Sequence, residues 1–321
     1  MRFVVPDDFP PAYRDSPEAL DPLRPHGEVA VYGTRATDQD ELVERLRDTH
    51  SLINVRAYTR FDVSLLDRLP DLKLISILGT GTDNVDLEAA SARGVTVTNT
   101  PGASTVSVAE CTIALLFDAT KHVARMDRAM RGGEWKQIQS VELKGRTLGL
   151  LGLGLIGQEV ARMASAFGMR VIAWSFSQDA ERARACGAEV AEFDEVLEQS
   201  DVLSLHLRAS PQTAGIVGRD QLARMKRGAV LVNTGRGALV DTDALIEALK
   251  SGQLAAAGLD VYTQEPLPAD SPLRELDNVV LLPHAAWVTE EASARLRRLP
   301  VDNILNYLAG TPTNVVNNPR A

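Results

Sequence analysis

Cysteine is almost missing from this chain: Cys111 and Cys186 are the only two in 321 residues. Both lie in helical contexts without metal-ligand spacing. That excludes a disulfide-stapled scaffold and a cysteine-built metal centre, and both read as small buried hydrophobes in a reducing cytosol. Long apolar runs are missing too; the longest are strand-sized, so no membrane span is expected. Residues 1–10, MRFVVPDDFP, lack the apolar core of a signal peptide and already look like a first strand. No basic block interrupts a net charge of −9 in which acids and bases are mixed. Neither nucleic acid nor an anionic membrane is therefore expected as a partner. Low-complexity tracts and solenoid repeats are absent as well. What remains is the composition of a cytoplasmic globular protein whose length calls for two domains.

Short apolar runs alternate with helical patterns along the chain, as in an α/β protein with parallel sheets. A first series of strands is expected at Phe3–Val5, Val29–Tyr32, Leu52–Val55, Leu74–Leu78 and Val95–Thr98. A second follows at Thr147–Leu151, Val171–Trp174, Val202–His206, Val230–Asn233, Ala256–Asp260 and Val279–Leu282. Between them Val108, Ile113, Leu116, Val123, Met126 and Met130 recur at helical steps, predicting one long helix from Ser104 to Arg131, ended by Gly132-Gly133 and bridging two domains. A last helix from Thr289 to Leu308 opens with Glu290 and Glu291 and returns the chain to the first domain. The domain plan is discontinuous: residues 1–100 with 288–321, wrapped around an inserted nucleotide-type domain at 101–287.

The stretch LGLLGLGLIGQEVA holds Gly152-x-Gly154-x-x-Gly157 between a strand and a helix. Glycines allow the tight turn, close backbone approach to a pyrophosphate, and helix packing on the strand; the helix N-terminus adds N–H donors. Methyltransferases and plain tight turns share the pattern, but strand-before and helix-after favour a dinucleotide. In a site for NAD the next strand should end in Asp or Glu. Here that position is Ser175, followed by Phe176, a neutral site that no longer repels a 2′-phosphate, yet no arginine sits beside it to welcome one; Arg182 and Arg184 lie a helical turn or two further on. Arg208 is a further cation expected to border the adenosine end. NAD is the favoured coenzyme, with NADP or dual use behind it.

Three further strands of the second series end in chemistry-bearing residues. One runs out at Gly235-Arg236-Gly237, where a guanidinium fork suits a carboxylate and adjacent carbonyl, although an isolated arginine reads first as a surface residue. The next reaches Asp260, with Glu265 held before Pro266, and the last reaches Pro283-His284. A lone histidine there would be a packing residue. Together the three fall on the carboxyl edge of one parallel sheet, where doubly wound folds bind ligands. A carboxylate beside an imidazole stabilises the cation, which can protonate a carbonyl oxygen as hydride reaches carbon.

Six segments then make the chain recognisable: GTGTDNVDLEAA, NTPGASTVSVAE, GLGLIG, VNTGRGALVD, LDVYTQEPLP and LPHAAWVT. In order and spacing the sequence resembles the D-isomer-specific 2-hydroxyacid dehydrogenases over nearly its whole length. The resemblance implies two Rossmann-like domains, a flavodoxin-like substrate domain and a doubly wound dinucleotide-binding domain, with a cleft between them, and a homodimer formed through the nucleotide domain. It implies that Arg236 orients the substrate, Glu265 pairs with the histidine, His284 is the acid/base and Asp260 holds the nicotinamide carboxamide. Backbone amides around Gly79, Thr80 and Gly81 would grip the substrate carboxylate. Leu155 and Ile156 would follow the pyrophosphate, and Val108, Ser175, His206, Leu207, Arg208, Thr234, Gly235 and Ala286 would complete the coenzyme site. Arg56 either binds a polar substrate group or is a solvated loop arginine. Trp287 either walls the substrate pocket, where it would favour a chain longer than glyoxylate, or closes the domain seam.

The chain departs from the family at Ser175, at His206-Leu207-Arg208 where His-x-Pro is usual, and at Ser104-Thr105 where Asn-Thr is usual. None of these touches Arg236, Glu265 or His284. The expected function is hydride transfer between NAD(P)H and a small-molecule 2-oxo acid, without a metal. A competing reading comes from PHAAW, which is similar to the C-terminal-binding-protein corepressors: an NAD(H)-responsive binding protein with little turnover.

Overall fold

The computed structural model describes residues 1–9, 11–55 and 59–319. The chain divides into two compact units, Met1–Ser104 with Thr289–Ala321, and Thr105–Val288. Each is built on one parallel sheet.

The first unit holds β1 (Arg2–Val5), β2 (Glu28–Val31), β3 (Ser51–Asn54), β4 (Leu74–Ile77) and β5 (Thr96–Thr98), in the order β2-β1-β3-β4-β5. Both central strands, β3 and β4, are buried along their whole length, as strands covered on both faces must be. Leu52, Ile75 and Val97 pack one face against Phe61, Leu65 and Ala90. The helix Glu290–Leu308 belongs to the same unit: Ser76 Oγ donates to Pro300 O at 3.1 Å and Asn303 Nδ2 to Asn99 O at 2.9 Å. Its start is fixed by Thr289, whose hydroxyl accepts the Ala292 N–H at 3.2 Å.

The second unit holds β6 (Thr147–Leu151), β7 (Arg170–Trp174), β8 (Glu189–Val190), β9 (Val202–Leu205), β10 (Ala229–Asn233), β11 (Leu254–Leu259) and β12 (Val279–Leu281). Their order is β12-β11-β10-β9-β6-β7-β8, all parallel. The chain winds outward from β6 through β7 and β8, then restarts at β9 on the other flank. The junction of β6 with β9 is therefore the switch point, outside whose carboxyl ends ligands bind in such sheets. The two-residue β8 was not foreseen, because a run that short carries no periodicity.

The long helix expected from Ser104 to Arg131 is two helices, Thr105–Lys121 and Val123–Arg131, both within the second unit. His122 breaks it with φ +58°. Asp118 makes the junction twice over: its carbonyl accepts the His122 N–H, and its Oδ1 accepts the Ala124 N–H, both at 2.7 Å. Apolar spacing continues across the break, so periodicity alone could not reveal it. Burial does: Ile113, Leu115 and Leu116 are in the core, whereas no residue of Val123–Arg131 is buried.

Candidate active site

At the switch point the glycine turn has a distinct physical reason for each glycine. Gly152 has φ +106°, and a Cβ there would stand 2.6 Å from His206 O. A Cβ on Gly157 would meet Gly152 O at 2.3 Å, so the helix Leu155–Ala166 can press onto the turn only through glycine. Gly154 faces open space, with nothing within 4 Å of its absent side chain. It caps the helix, leaving first-turn N–H groups for a pyrophosphate, and Leu155 beside it is 56% exposed. This cradle fits a dinucleotide. Ile156 is partly buried against the core beneath.

Around the turn, Gly152 N–H donates to Trp174 O at 2.8 Å, which seats Ser175 next to it. On the other flank His206 shares a 2.9 Å contact between Nε2 and Ser204 Oγ, and burial drives its pKa down to about 4. His206 is thus a neutral structural wall. Leu207 packs against the core and Arg208 is exposed. Thr234 is buried and paired with Thr112 through their hydroxyls at 2.7 Å. Thr112 also donates to Val108 O, tying the helix Thr105–Lys121 to the end of β10. Thr112 carries no motif and was not anticipated.

The acid/base candidates meet at the ends of β10, β11 and β12. His284 Nδ1 lies 2.7 Å from Glu265 Oε2. Because a carboxylate accepts, Nδ1 carries the hydrogen and Nε2 is the nitrogen left for chemistry. The other Glu265 oxygen, Oε1, accepts the Tyr262 N–H at 3.0 Å, so the carboxylate is fixed at both ends. Burial pushes Glu265 upward, but the hydrogen bond and charge of His284, the Tyr262 N–H and the charge of Arg236 outweigh it and hold the carboxyl below its ordinary value. Arg236 is half-buried, and its Nη1 donates to Gly235 O at 2.9 Å. Asn233 shapes this bend: Nδ2 donates to Arg236 O and Oδ1 accepts the Gly235 N–H.

His284 itself has φ +54°, a conformation costly for a side chain of this kind and held by its surroundings. Its N–H donates to Asp260 O at 2.8 Å. Asp260 is 1% exposed, and its two carboxylate oxygens accept the N–H groups of Ala285 and Ala286 at 2.7 and 3.0 Å. Burial raises its pKa, and those two bonds pull it partly back. The structure thus gives Asp260 a second task beyond the one expected of it, the clamping of the His284 turn. Tyr262, also not foreseen, donates its hydroxyl to Leu282 O at 2.7 Å, fixing the approach to Pro283-His284. A Cβ on Gly237 would overlap the Tyr262 carbonyl carbon at 1.9 Å, so β10 and β11 can deliver Arg236 and Glu265 together only through glycine. Trp287 follows, partly buried.

In the first unit Gly79 (φ +137°) ends β4, and its N–H donates to Thr100 Oγ1 at 2.8 Å. Thr80 O accepts from Asn99 Nδ2 at 3.0 Å. The backbone N–H groups of Thr80 and Gly81 donate to none of the described residues. Arg56 lies outside the described residues.

Residues 113–286 match the family profile of the D-isomer specific 2-hydroxyacid dehydrogenase, NAD binding domain. The chain is 40% identical over 312 residues to a glyoxylate reductase of Aeropyrum pernix, covering 94% of this chain and 93% of that one. It is 39% identical to a D-3-phosphoglycerate dehydrogenase of Archaeoglobus fulgidus, spanning 95% of this chain but only 58% of that longer protein. Among solved structures, an acyclic imino acid reductase in complex with NADPH and D-Arg superposes with a TM-score of 0.90 at 31% identity, covering 98% of this chain and 100% of that one. Likeness that runs through nearly the whole sequence makes the chain a member of the D-isomer specific 2-hydroxyacid dehydrogenases, the oxidoreductases that use NAD(P) to interconvert 2-oxo and 2-hydroxy acids.

Proposed function

We propose that this member reduces a short, unbranched 2-oxo acid, glyoxylate foremost, with His284 as acid/base, Glu265 as its partner and Arg236 on the substrate. The single observation that carries the assignment is the 2.7 Å contact from His284 Nδ1 to Glu265 Oε2, with the second carboxylate oxygen tied to Tyr262. Glu265 fixes the imidazole tautomer, so Nε2 gives its proton to the carbonyl oxygen in reduction and takes the hydroxyl proton in oxidation. A nicotinamide coenzyme held at the Gly152–Gly157 turn would supply the hydride chemistry at the substrate carbon. Arg236 offers a planar fork to the substrate carboxylate and carbonyl oxygen, and its charge favours the polarised carbonyl. Glyoxylate follows from the Aeropyrum relative, whose whole length this chain nearly matches.

Coenzyme consumption with a series of 2-oxo acids, starting at glyoxylate and lengthening one carbon at a time, tests the reading. Turnover highest for the shortest acids supports it; coenzyme binding without turnover on any of them would return the corepressor-like alternative to favour.

The protein further works as a cytoplasmic homodimer. Its two free cysteines suit a reducing compartment. The helix Val123–Arg131 and the segment after it leave Val123 58%, Met130 50% and Trp135 84% exposed, an apolar row that a second copy would cover. Light scattering should give twice the chain mass, and Trp135→Glu should shift the protein toward monomer; an unaltered mass would place the interface elsewhere.

A further inference from the structure

Resting on the oxidoreductase reading above, we propose that the coenzyme's adenosine ribose is read through a 2′-phosphate, with Arg182 as the residue that selects NADP(H) over NAD(H). In a nucleotide site of this kind, a carboxylate after the second strand accepts ribose hydroxyls and repels a phosphate. Here β7 ends at Trp174, and Ser175, Phe176, Ser177 and Gln178 follow without an acid. The first acid, Asp179, is already engaged: its Oδ1 accepts the Arg182 N–H at 2.9 Å and its Oδ2 lies 3.3 Å from Arg182 Nη2.

Three polar groups are strung along this turn. Ser175 Oγ is 3.5 Å from Ser177 Oγ, and Arg182 Nη1 is 3.5 Å from the same Ser177 oxygen. Both contacts sit at the outer limit of hydrogen bonding, well beyond the roughly 2.7–2.9 Å of a good charge-assisted bond. Two hydroxyls and a guanidinium are thus close together and open to solvent, with no close bond among them for a ligand to break. A tetrahedral dianion placed among them would take a bond from each. The ion pair with Asp179 is exposed and spans one helical turn, a type of contact worth little, so a phosphate with close to two charges can outcompete the carboxylate.

Position agrees with chemistry. Trp174 pairs with Leu151, and its carbonyl takes the Gly152 N–H at 2.8 Å, so Ser175 stands one residue from the pyrophosphate turn. The adenosine ribose is joined directly to that pyrophosphate. On the other flank of the turn, Arg208 is exposed and has no ion pair among the described residues, adding positive potential at the same edge.

Calorimetric titration of the full chain with NADPH and NADH, and with adenosine 2′,5′-bisphosphate and 5′-AMP, tests the assignment without any turnover. The 2′-phosphate should tighten Kd about tenfold or more in each pair, as expected for a guanidinium–phosphate contact, and added salt should shrink the ratio. Arg182→Ala should collapse both ratios toward one. Ser175→Asp, which places a negative charge beside the ribose, should invert the NADPH to NADH preference even if the arginine variant folds poorly. Equal Kd values in the unaltered protein, or a full preference surviving Arg182→Ala, would overturn the proposal while leaving the oxidoreductase reading in place. Failure of both coenzymes to bind would overturn the two together.

Discussion

At the scale of single residues, the site depends on which atoms are already spoken for. Glu265 spends one oxygen on the Tyr262 N–H and the other on His284 Nδ1, so its carboxylate cannot turn away from the ring. In the proposed reaction His284 Nε2 is the reactive nitrogen, and its removal should be felt in chemistry rather than in coenzyme affinity. His284→Ala is expected to lower kcat by about 10²–10⁴-fold while NAD(P)H still binds, the range typical of a positioned acid/base. Stopped-flow and coenzyme titration separate the two effects, and unimpaired turnover would remove His284 from the reaction. Arg236 makes a different demand. Lysine keeps the charge but not the planar fork, so Arg236→Lys should raise KM for the oxo acid about tenfold or more with a smaller loss in kcat. Steady-state kinetics that match the unaltered enzyme would show that the fork does not hold substrate.

At the scale of elements, strand ends bring distant residues together, and glycine lets them approach. β10 brings Arg236, β11 brings Asp260 and Glu265, and β12 brings His284 to one carboxyl edge. The bend after β10 lies so close to the Tyr262 backbone that no side chain fits on Gly237. Gly237→Ala should therefore push Tyr262, and with it the Glu265 anchor, out of place. A loss of about 1–3 kcal/mol is expected from such overpacking, read as an earlier denaturant midpoint together with reduced kcat. A variant with unchanged stability and rate would mean that the turn relaxes freely. The sequence made these strands legible because runs such as VLVN and LLPH are short, apolar and followed by polar turns. The break at His122 was not legible, since apolar spacing persists through it and only Asp118's double capping ends one helix and starts another. Tyr262 and Thr112 escaped for a related reason. The bonds by which they reach across the fold, Tyr262 to Leu282 and Thr112 to Thr234, join residues far apart in sequence, and no local pattern records that.

At the scale of the whole molecule, desolvated and paired titratable groups tie stability to pH. His206 is neutral in the fold down to about 4, whereas in the unfolded chain it protonates near 6.5. Between those values the unfolded state binds more protons, so stability falls as pH drops through that window and is fully present above it. Glu265, held below 4.5, adds a loss at still lower pH as it is protonated. Asp260, held above 3.8, acts in the opposite sense, because the fold favours its protonated form. Thermal melts should therefore show Tm declining from about pH 6.5 toward 4, with the decline flattened in His206→Gln; a flat profile in the unaltered protein would contradict the buried neutral ring.

Composition, strand spacing and the three marked strand ends were enough to give an α/β chain, a dinucleotide turn and the trio Arg236, Glu265 and His284. Those features are local: glycine freedom, hydrophobic period and residue type are written in consecutive letters. Only the tertiary structure decided that Asp260 clamps the His284 turn, that Gly79 spends its amide on Thr100, and that Arg182 folds back beside Ser177. Each of these is a choice of partner for a polar group across a turn or between strands. It is settled by which groups the packed backbone brings within hydrogen-bond reach, a distance that the sequence does not contain.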